Sequence, residues 1–209
     1  MKQLIVEGEN DKHIVFALRD KYKLDKNFEI ENLKTVEKLL AGISTIIKES
    51  NLDVLGIILD ADSDLEKRWQ EVRAKVEPFG YDLPAKPDLN GTIVELSDTS
   101  MPYPLKIGIW LMPNNQLTGA VEEFLQMLIR ERDVLWKEAE LIVEKLENEI
   151  DEALRFPTKY RSKALIHSFL AWQKEPGRPM GFAITKRYFD ADAKLAKTFA
   201  AWLERLFSE

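Results

Sequence analysis

The chain has 209 residues, no cysteine and a formal net charge of −6. This length fits one domain or one domain with an appendage, and the missing cysteines exclude disulfides, cysteine-ligated zinc and thiol nucleophiles, in agreement with a cytoplasmic location. No segment approaches the roughly 18 uncharged apolar residues of a membrane span, and the N-terminal residues do not resemble a secretory signal, so we expect no membrane partner.

The first part of the chain alternates between strand and helix patterns. The predicted order is strand 3–7, helix 11–22, a strand at Phe28 and Ile30, helix 34–49, strand 54–62 and a helix that ends near Pro78. Asn10 and Ser63 are the predicted N-caps of the first and third helices. This alternation predicts a parallel α/β sheet with right-handed crossovers.

The second part of the chain adds two strands and then only helices. The two strands are predicted at residues 92–96 and 106–112, and a short helix is predicted after Gly119. Residues 133–154 predict a long amphipathic helix. Its apolar stripe consists of Leu135, Ala139, Ile142, Leu146, Ile150 and Ala153. The predicted fold class is therefore a mostly parallel α/β core over residues 1–130, with a helical region over residues 131–209 packed on it as one structural unit.

Three acidic residues follow predicted strands. Glu7 ends the first strand, Asp60 ends the third, and Asp62 comes two residues later. In an open parallel sheet, ligands bind at the carboxyl ends of the strands, and these acids meet there if the two strands are neighbours. Their charges repel unless a cation lies between them, and a cluster of oxygen ligands suits Mg²⁺ or Mn²⁺ better than zinc.

The same residues carry a resemblance to a known family. VEGENDKHIV at residues 6–15, followed by GIILDADSD at residues 56–64, resembles the Toprim domain of topoisomerases, bacterial primases, recombination proteins and several nucleases. The glutamate and glycine of that pattern match Glu7 and Gly8, and its Asp-x-Asp pair matches Asp60 and Asp62. The resemblance implies a compact parallel sheet between helices, with Glu7 as general acid or base, or as an extra metal ligand. It also implies that Asp60 and Asp62 hold Mg²⁺.

Longer motifs extend this resemblance over nearly all of the chain. The sequence is similar to an uncharacterised Toprim-related family of prokaryotes in GIWLMP, GAVEEFL, SKALIHSFLAWQKEPGRPMG and the closing WLERLF. This family implies a fold and a site but no established reaction. Its pattern has an aspartate at the position of Asn114, so a ligand charge would be missing here and metal binding or activity would be weaker.

Further acids are candidates for the same site. Glu122 is the best fourth acid, although a glutamate in the first turn of a helix also favours the helix dipole without any other role. Asp64 is either a metal ligand or an acid at the start of a helix. Asp11 is expected in the first turn of a helix near the site, and Glu123 is expected to be the exposed neighbour of Glu122.

Charge is distributed unevenly along the C-terminal part. Residues 131–152 contain nine acids against three bases, whereas residues 155–187 contain eight Lys or Arg residues against one acid, a local charge of +7. Two interpretations are open. In the first, the acidic and basic blocks form helices that face each other or the solvent. In the second, the basic block forms a phosphate-binding surface. In the second case Lys163 and Arg161 would contact the substrate. Trp172 is expected in the core, with base stacking as its alternative role.

These features lead to three hypotheses for function. The first is Mg²⁺-dependent (or Mn²⁺-dependent) phosphoryl transfer on nucleic acid by a nuclease that acts on DNA or RNA. The second is a non-catalytic module that binds nucleic acid or protein, which the acidic net charge and Asn114 favour. The third is an enzyme that hydrolyses small phosphate esters with the same chemistry. A Walker loop is not present in GENDKH, so ATP binding has no support.

Overall fold

The computed structural model describes residues 1–49, 51–96 and 105–208 and shows an α/β fold. The strands are β1 (Lys2–Val6), β2 (Glu29–Asn32), β3 (Val54–Asp60), β4 (Thr92–Val94) and β5 (Lys106–Met112). The helices are α1 (Glu9–Tyr22), α2 (Val36–Ile46), α3 (Leu65–Val76), α4 (Val121–Gln126), α5 (Val134–Glu149), α6 (Arg161–Ala171), α7 (Met180–Thr185) and α8 (Lys194–Phe207). Within these residues, every helix is too short or too polar to span a bilayer.

The five strands form one mostly parallel sheet in the order β2-β1-β3-β5-β4. Only the short strand β4 runs antiparallel, at the edge next to β5. Val6 of β1 pairs with Ile58 of β3, so the two strands are neighbours and their carboxyl ends lie at one edge of the sheet. The predictions of an α/β class and of a mostly parallel sheet are therefore confirmed.

Helices cover both faces of this sheet. Successive side chains along each strand point to opposite faces of the sheet. Val6 and Ile58 therefore belong to the core cluster that includes α1 and α8, while Ile5 and Ile57 belong to the cluster under α2 and α3. A sheet buried on both faces explains why β3 is almost continuously apolar.

Helix α8 packs directly on the centre of the sheet. A Cβ atom at Gly108 of β5 would lie 2.4 Å from Leu206, which shows that the helix approaches the strand backbone closely. The Phe207 ring stacks on Phe28 with ring centres 3.9 Å apart, and Trp202 lies in the same core. The C-terminal helical region thus shares a hydrophobic core with the first strands.

Several predicted boundaries are wrong, each for a local reason. Helix α1 begins after Gly8 and not after Asn10. Asp64, not Ser63, caps α3, because its side chain accepts a hydrogen bond from the Lys67 amide at 2.9 Å. Helix α5 ends at Glu149 and not at residue 154. Its last turn contains no basic residue, so acidic side chains there oppose the helix dipole.

Two burial predictions also differ from the structure. In α5, Ala139 and Val143 are buried, whereas Ile142, Leu146 and Ile150 of the apolar stripe are exposed. Trp172, expected in the core, is 38 % exposed just after the end of α6. Apolar periodicity identifies the side of a helix that faces a partner, but it does not show how far the partner extends.

Candidate functional site

Glu7 and Asp60 meet at the carboxyl edge of the sheet. Because β1 and β3 are neighbours, the Asp60 backbone N–H reaches the Glu7 side chain and donates a hydrogen bond to its Oε2 at 3.2 Å. The Asp60 Oδ1 atom is buried and has no hydrogen-bond partner among the described residues. The convergence of these two acids, which the sequence predicted from strand order, is therefore present.

Asp11 joins them from the first turn of α1. The Gly8 N–H donates to Asp11 Oδ2 at 2.9 Å, which turns the side chain inward beneath the β1–α1 turn. Asp11 is only 3 % exposed, and its Oδ1 is buried without a partner in the described part of the chain. A Cβ atom at Gly8 would lie 3.0 Å from Asp11 Oδ2, so the small residue leaves room for this close approach.

Glu122 is brought to the same place by the loop between β5 and α4. The Asp62 N–H donates to the Gly119 carbonyl at 2.9 Å, and the Gly119 N–H donates back to the Asp62 carbonyl at 2.6 Å. This pair of hydrogen bonds fixes the start of α4, where Glu122 lies buried. Lys163 Nζ of α6 lies 4.0 Å from Glu122 Oε1 at the rim.

Four carboxyl groups at this edge of the sheet have raised pKa values and are here called the acidic cluster, those of Glu7, Asp11, Asp60 and Glu122. Burial, followed by the charges of Asp11, Glu7 and Glu122, raises the pKa of Asp60 well above its usual value. Burial and then the charge of Glu7 raise the pKa of Asp11 to about 7. Burial also raises the pKa values of Glu7 and Glu122. The site therefore holds more negative charge than its surroundings stabilise.

Asp62 bonds to an arginine at the end of β3, and after burial its charge also contributes to the raised pKa values of Glu7 and Asp60. Its backbone has a left-handed φ of 53°, and its Oδ2 accepts a hydrogen bond from Arg68 at 2.6 Å. The Arg68 Nε atom also donates to the Asp60 carbonyl at 2.9 Å. Arg68 was not predicted as a site residue from the sequence. Its place in the first turns of the helix that follows the acids could have identified it as a partner for them.

Two other predicted site residues have local partners. Asp64 is exposed and caps α3. Arg161 donates to Glu147 Oε2 of α5 at 3.0 Å, so part of the basic block faces the acidic helix. Of the two substrate-contacting residues predicted in this block, the structure places Lys163 beside the acidic cluster and pairs Arg161 with α5.

Glu123 and Asn114 close turns near the site. Glu123, predicted to be exposed, is half-buried, because it accepts hydrogen bonds from the Ala120 N–H at 2.7 Å and from the Ser162 hydroxyl. The prediction of an exposed Glu123 is therefore wrong. The Asn114 Oδ1 accepts a hydrogen bond from the Leu117 N–H at 2.9 Å. The side-chain oxygen at position 114 thus shapes the turn, a role that aspartate also fulfils.

The acidic cluster fits a hard divalent cation in its chemistry. Its donors are carboxylate oxygens, and Asp11 and Asp60 each have one buried oxygen without a partner in the ranges that the structure describes. Mg²⁺ takes one or two protein carboxylates and keeps several waters, so these donors suffice. No set of three or more acidic or histidine side chains in the described residues is already arranged to hold a metal ion.

Fold and site together define an α/β protein with a buried acidic cluster at the carboxyl edge of its parallel sheet. The family model described as Protein of unknown function (DUF3226) matches residues 1–208. The chain therefore belongs to this family. No curated protein and no solved structure matches the chain.

Proposed function

We propose that this protein is a divalent-metal-dependent phosphoryl-transfer enzyme that acts on nucleic acid, a nuclease built on a Toprim-like core. The observation that carries the proposal is the acidic cluster, in which one buried carboxylate oxygen of Asp11 and one of Asp60 have no partner among the described residues. Buried carboxylates without partners cost stability, and such perturbed groups occur most often where chemistry requires them.

The residues of the cluster have separable roles in this proposal. Asp60 and Asp11 would hold a divalent cation, which when bound supplies positive charge to a phosphodiester oxygen. Glu7 has a raised pKa and accepts the Asp60 N–H, so its carboxyl group can take a proton from an attacking water or give one to a leaving oxygen. Lys163 at the rim would contact a phosphate oxygen and bring it towards the acids.

Arg68 has a supporting role in this scheme. It donates hydrogen bonds to the Asp60 carbonyl and to the Asp62 carboxylate. It therefore holds the end of β3 in place and neutralises Asp62. Arg68 holds Asp62 Oδ2, so a cation would contact Asp62 through its other oxygen or after release from Arg68. Asp60 and Asp11 would therefore make the first contacts with the metal, and Asp62 would make a later one.

The experiment uses the whole chain with labelled single- and double-stranded DNA and RNA, in Mg²⁺ or Mn²⁺. Cleavage by the wild type that disappears in Glu7→Gln and in Asp60→Asn is the expected result. Asp64→Asn is the matched control, because asparagine caps a helix as well as aspartate and Asp64 is exposed. Absence of cleavage with every substrate and both metals would refute the proposal, as would cleavage that survives both substitutions.

A second function is favoured by the Arg68 ion pair. The Arg68 guanidinium already neutralises Asp62 within the protein. This arrangement suits a module that binds nucleic acid without cutting it. That function predicts binding of the same oligonucleotides with no products in either metal. Turnover of mononucleotides or simple phosphate esters alone would instead indicate a small-molecule phosphoesterase.

A further inference from the structure

The outer side of α6 combines exposed aromatic and basic side chains. Tyr160 precedes the helix and is 42 % exposed, and Trp172 follows it and is 38 % exposed. Lys163 and His167 lie between them, one turn apart on the same side, and both are exposed. Lys159, Tyr160, Lys163 and His167 are here called the α6 face. With about 3.6 residues per turn, the nine residues from Lys163 to Trp172 place Trp172 on the opposite side of the helix, so it is not part of this face.

The α6 face begins at the acidic cluster. Lys163 Nζ lies 4.0 Å from Glu122 Oε1. Burial raises the pKa of Glu122, and the nearby charges of Lys163 and His167 oppose that rise. A chain molecule that lies along this face therefore passes directly over the proposed site of cleavage.

Tyr160 has a lysine on each side. The Lys159 Nζ lies 4.9 Å from the centre of its ring, and the Lys163 Nζ lies 5.8 Å from it. In the part of the chain that the structure describes, Lys159 has no carboxylate partner. An exposed ring with cations beside it suits a nucleotide, because the base can stack on the ring while the phosphates contact the lysines.

A cavity continues the face towards α7. Its volume is about 320 Å³, and His167, Asn10 and Arg178 are among the residues that line it. Gly177 at its edge has a φ of +75°, and a Cβ atom there would have nothing within 4 Å. The surface beyond His167 therefore has room for a sugar or a phosphate next to the bases.

We infer that the α6 face binds single-stranded nucleic acid and leads it to the acidic cluster, with Tyr160 stacking on a base and Lys159 and Lys163 contacting phosphates. The cleavage step rests on the proposed function, whereas binding does not. Unpaired bases are required, because the bases of a duplex stack on each other and leave no free surface for a ring. The net charge of −6 also disfavours a long duplex, so a short local basic surface suits a single strand better.

The test measures binding separately from cleavage. Fluorescence anisotropy is recorded with labelled oligothymidylate, oligouridylate and a duplex of equal length, in EDTA. The wild type should bind both single strands more tightly than the duplex, and the two single-stranded arms show which sugar is preferred. Tyr160→Ala should weaken single-strand binding at least about fivefold. Tyr160→Phe should retain the binding, and so should Trp172→Ala, because Trp172 lies on the opposite side of the helix.

Two further variants separate stacking from charge. Lys159→Ala should lower the slope of log K against log salt by about 0.7, the value for one phosphate contact with a single strand. Leu154→Ala is the control, because this apolar residue is 81 % exposed and lies outside the α6 face. Lys159→Ala and Leu154→Ala should unfold at the wild-type temperature, because these side chains are exposed. Tyr160 and Trp172 are more than half buried, so their alanine variants lose buried apolar area, and binding is measured at a temperature at which circular dichroism shows every variant folded.

The outcomes distinguish this inference from the proposed function. Wild-type affinity in Tyr160→Ala, or a preference for duplex, would overturn the inference even if Glu7→Gln abolishes cleavage. Weakened binding in Tyr160→Ala, with binding retained in Tyr160→Phe and Trp172→Ala, would support the inference, including when no substrate is cut.

Discussion

Replacing Asp11 with asparagine tests the electrostatic strain of the acidic cluster. Burial and the charge of Glu7 raise the pKa of Asp11 from 3.8 to about 7. The folded protein therefore holds a proton that the unfolded chain releases between about pH 4 and about pH 7, so the free energy of unfolding falls as the pH rises through this range. Each pKa unit corresponds to about 1.4 kcal/mol, so the rise in pKa corresponds to about 4 kcal/mol at and above about pH 8.

Asparagine carries no charge, and its side-chain oxygen can still accept the Gly8 N–H. We therefore expect the stability of Asp11→Asn, relative to wild type, to increase by about 4 kcal/mol between about pH 4 and about pH 8. Urea unfolding in EDTA at the two pH values measures this difference. Leu18→Ala on the same helix removes no titratable group, and its destabilisation should not vary with pH. A stability difference for Asp11→Asn that is the same at both pH values would refute the reasoning.

Three further predictions concern the site and the sheet. Arg68→Gln should destabilise the fold by about 1–3 kcal/mol in urea unfolding, because the hydrogen bonds to Asp62 and to the Asp60 carbonyl are lost. Gly108→Ala should destabilise it by about 1–3 kcal/mol in the same assay, because the added Cβ would lie 2.4 Å from Leu206. Mg²⁺ should raise the thermal unfolding temperature of the wild type but not that of Asp60→Asn, as measured by calorimetry.

Each of these predictions has a contradicting result. Wild-type stability in Arg68→Gln would show that the guanidinium does not hold the end of β3. Gly42→Ala in α2 is the control for Gly108→Ala, since its added Cβ would make an ordinary contact of 3.4 Å with Leu33 and alanine favours helices. An equal effect of Mg²⁺ on wild type and Asp60→Asn would place the cation elsewhere on the protein.

Much of the fold could be predicted from local patterns. The run at residues 54–60 is apolar on both sides, which is typical of a strand covered by helices on both faces, and β3 is such a strand. Because β1 and β3 are neighbours in a parallel sheet, Glu7 and Asp60 had to end at the same edge. Helix ends were predicted less well, since a cap depends on one hydrogen bond, as with Asp64 and the Lys67 amide.

The candidate site was predicted in part. Glu7 and Asp60 were identified because acids that follow strands meet at one edge of a parallel sheet. Glu122 was identified from its place at a helix start together with the resemblance to Toprim nucleases. The burial of Asp11 was not apparent, since a first-turn aspartate is usually solvated, and its pKa follows from the elements packed around it. The direction of Asp62 was not apparent either, because it depends on the left-handed backbone that aims its side chain at Arg68.

The sequence by itself determined the order of strands and helices, the parallel sheet and the presence of acids at its edge. These features depend on periodicity and on residues close together in the chain. Only the tertiary structure decided that Arg68 neutralises Asp62, that Asp11 is buried, and that Trp172 is exposed. Burial and pairing depend on which distant segments pack together, and solvation and charge at each site are fixed by that packing.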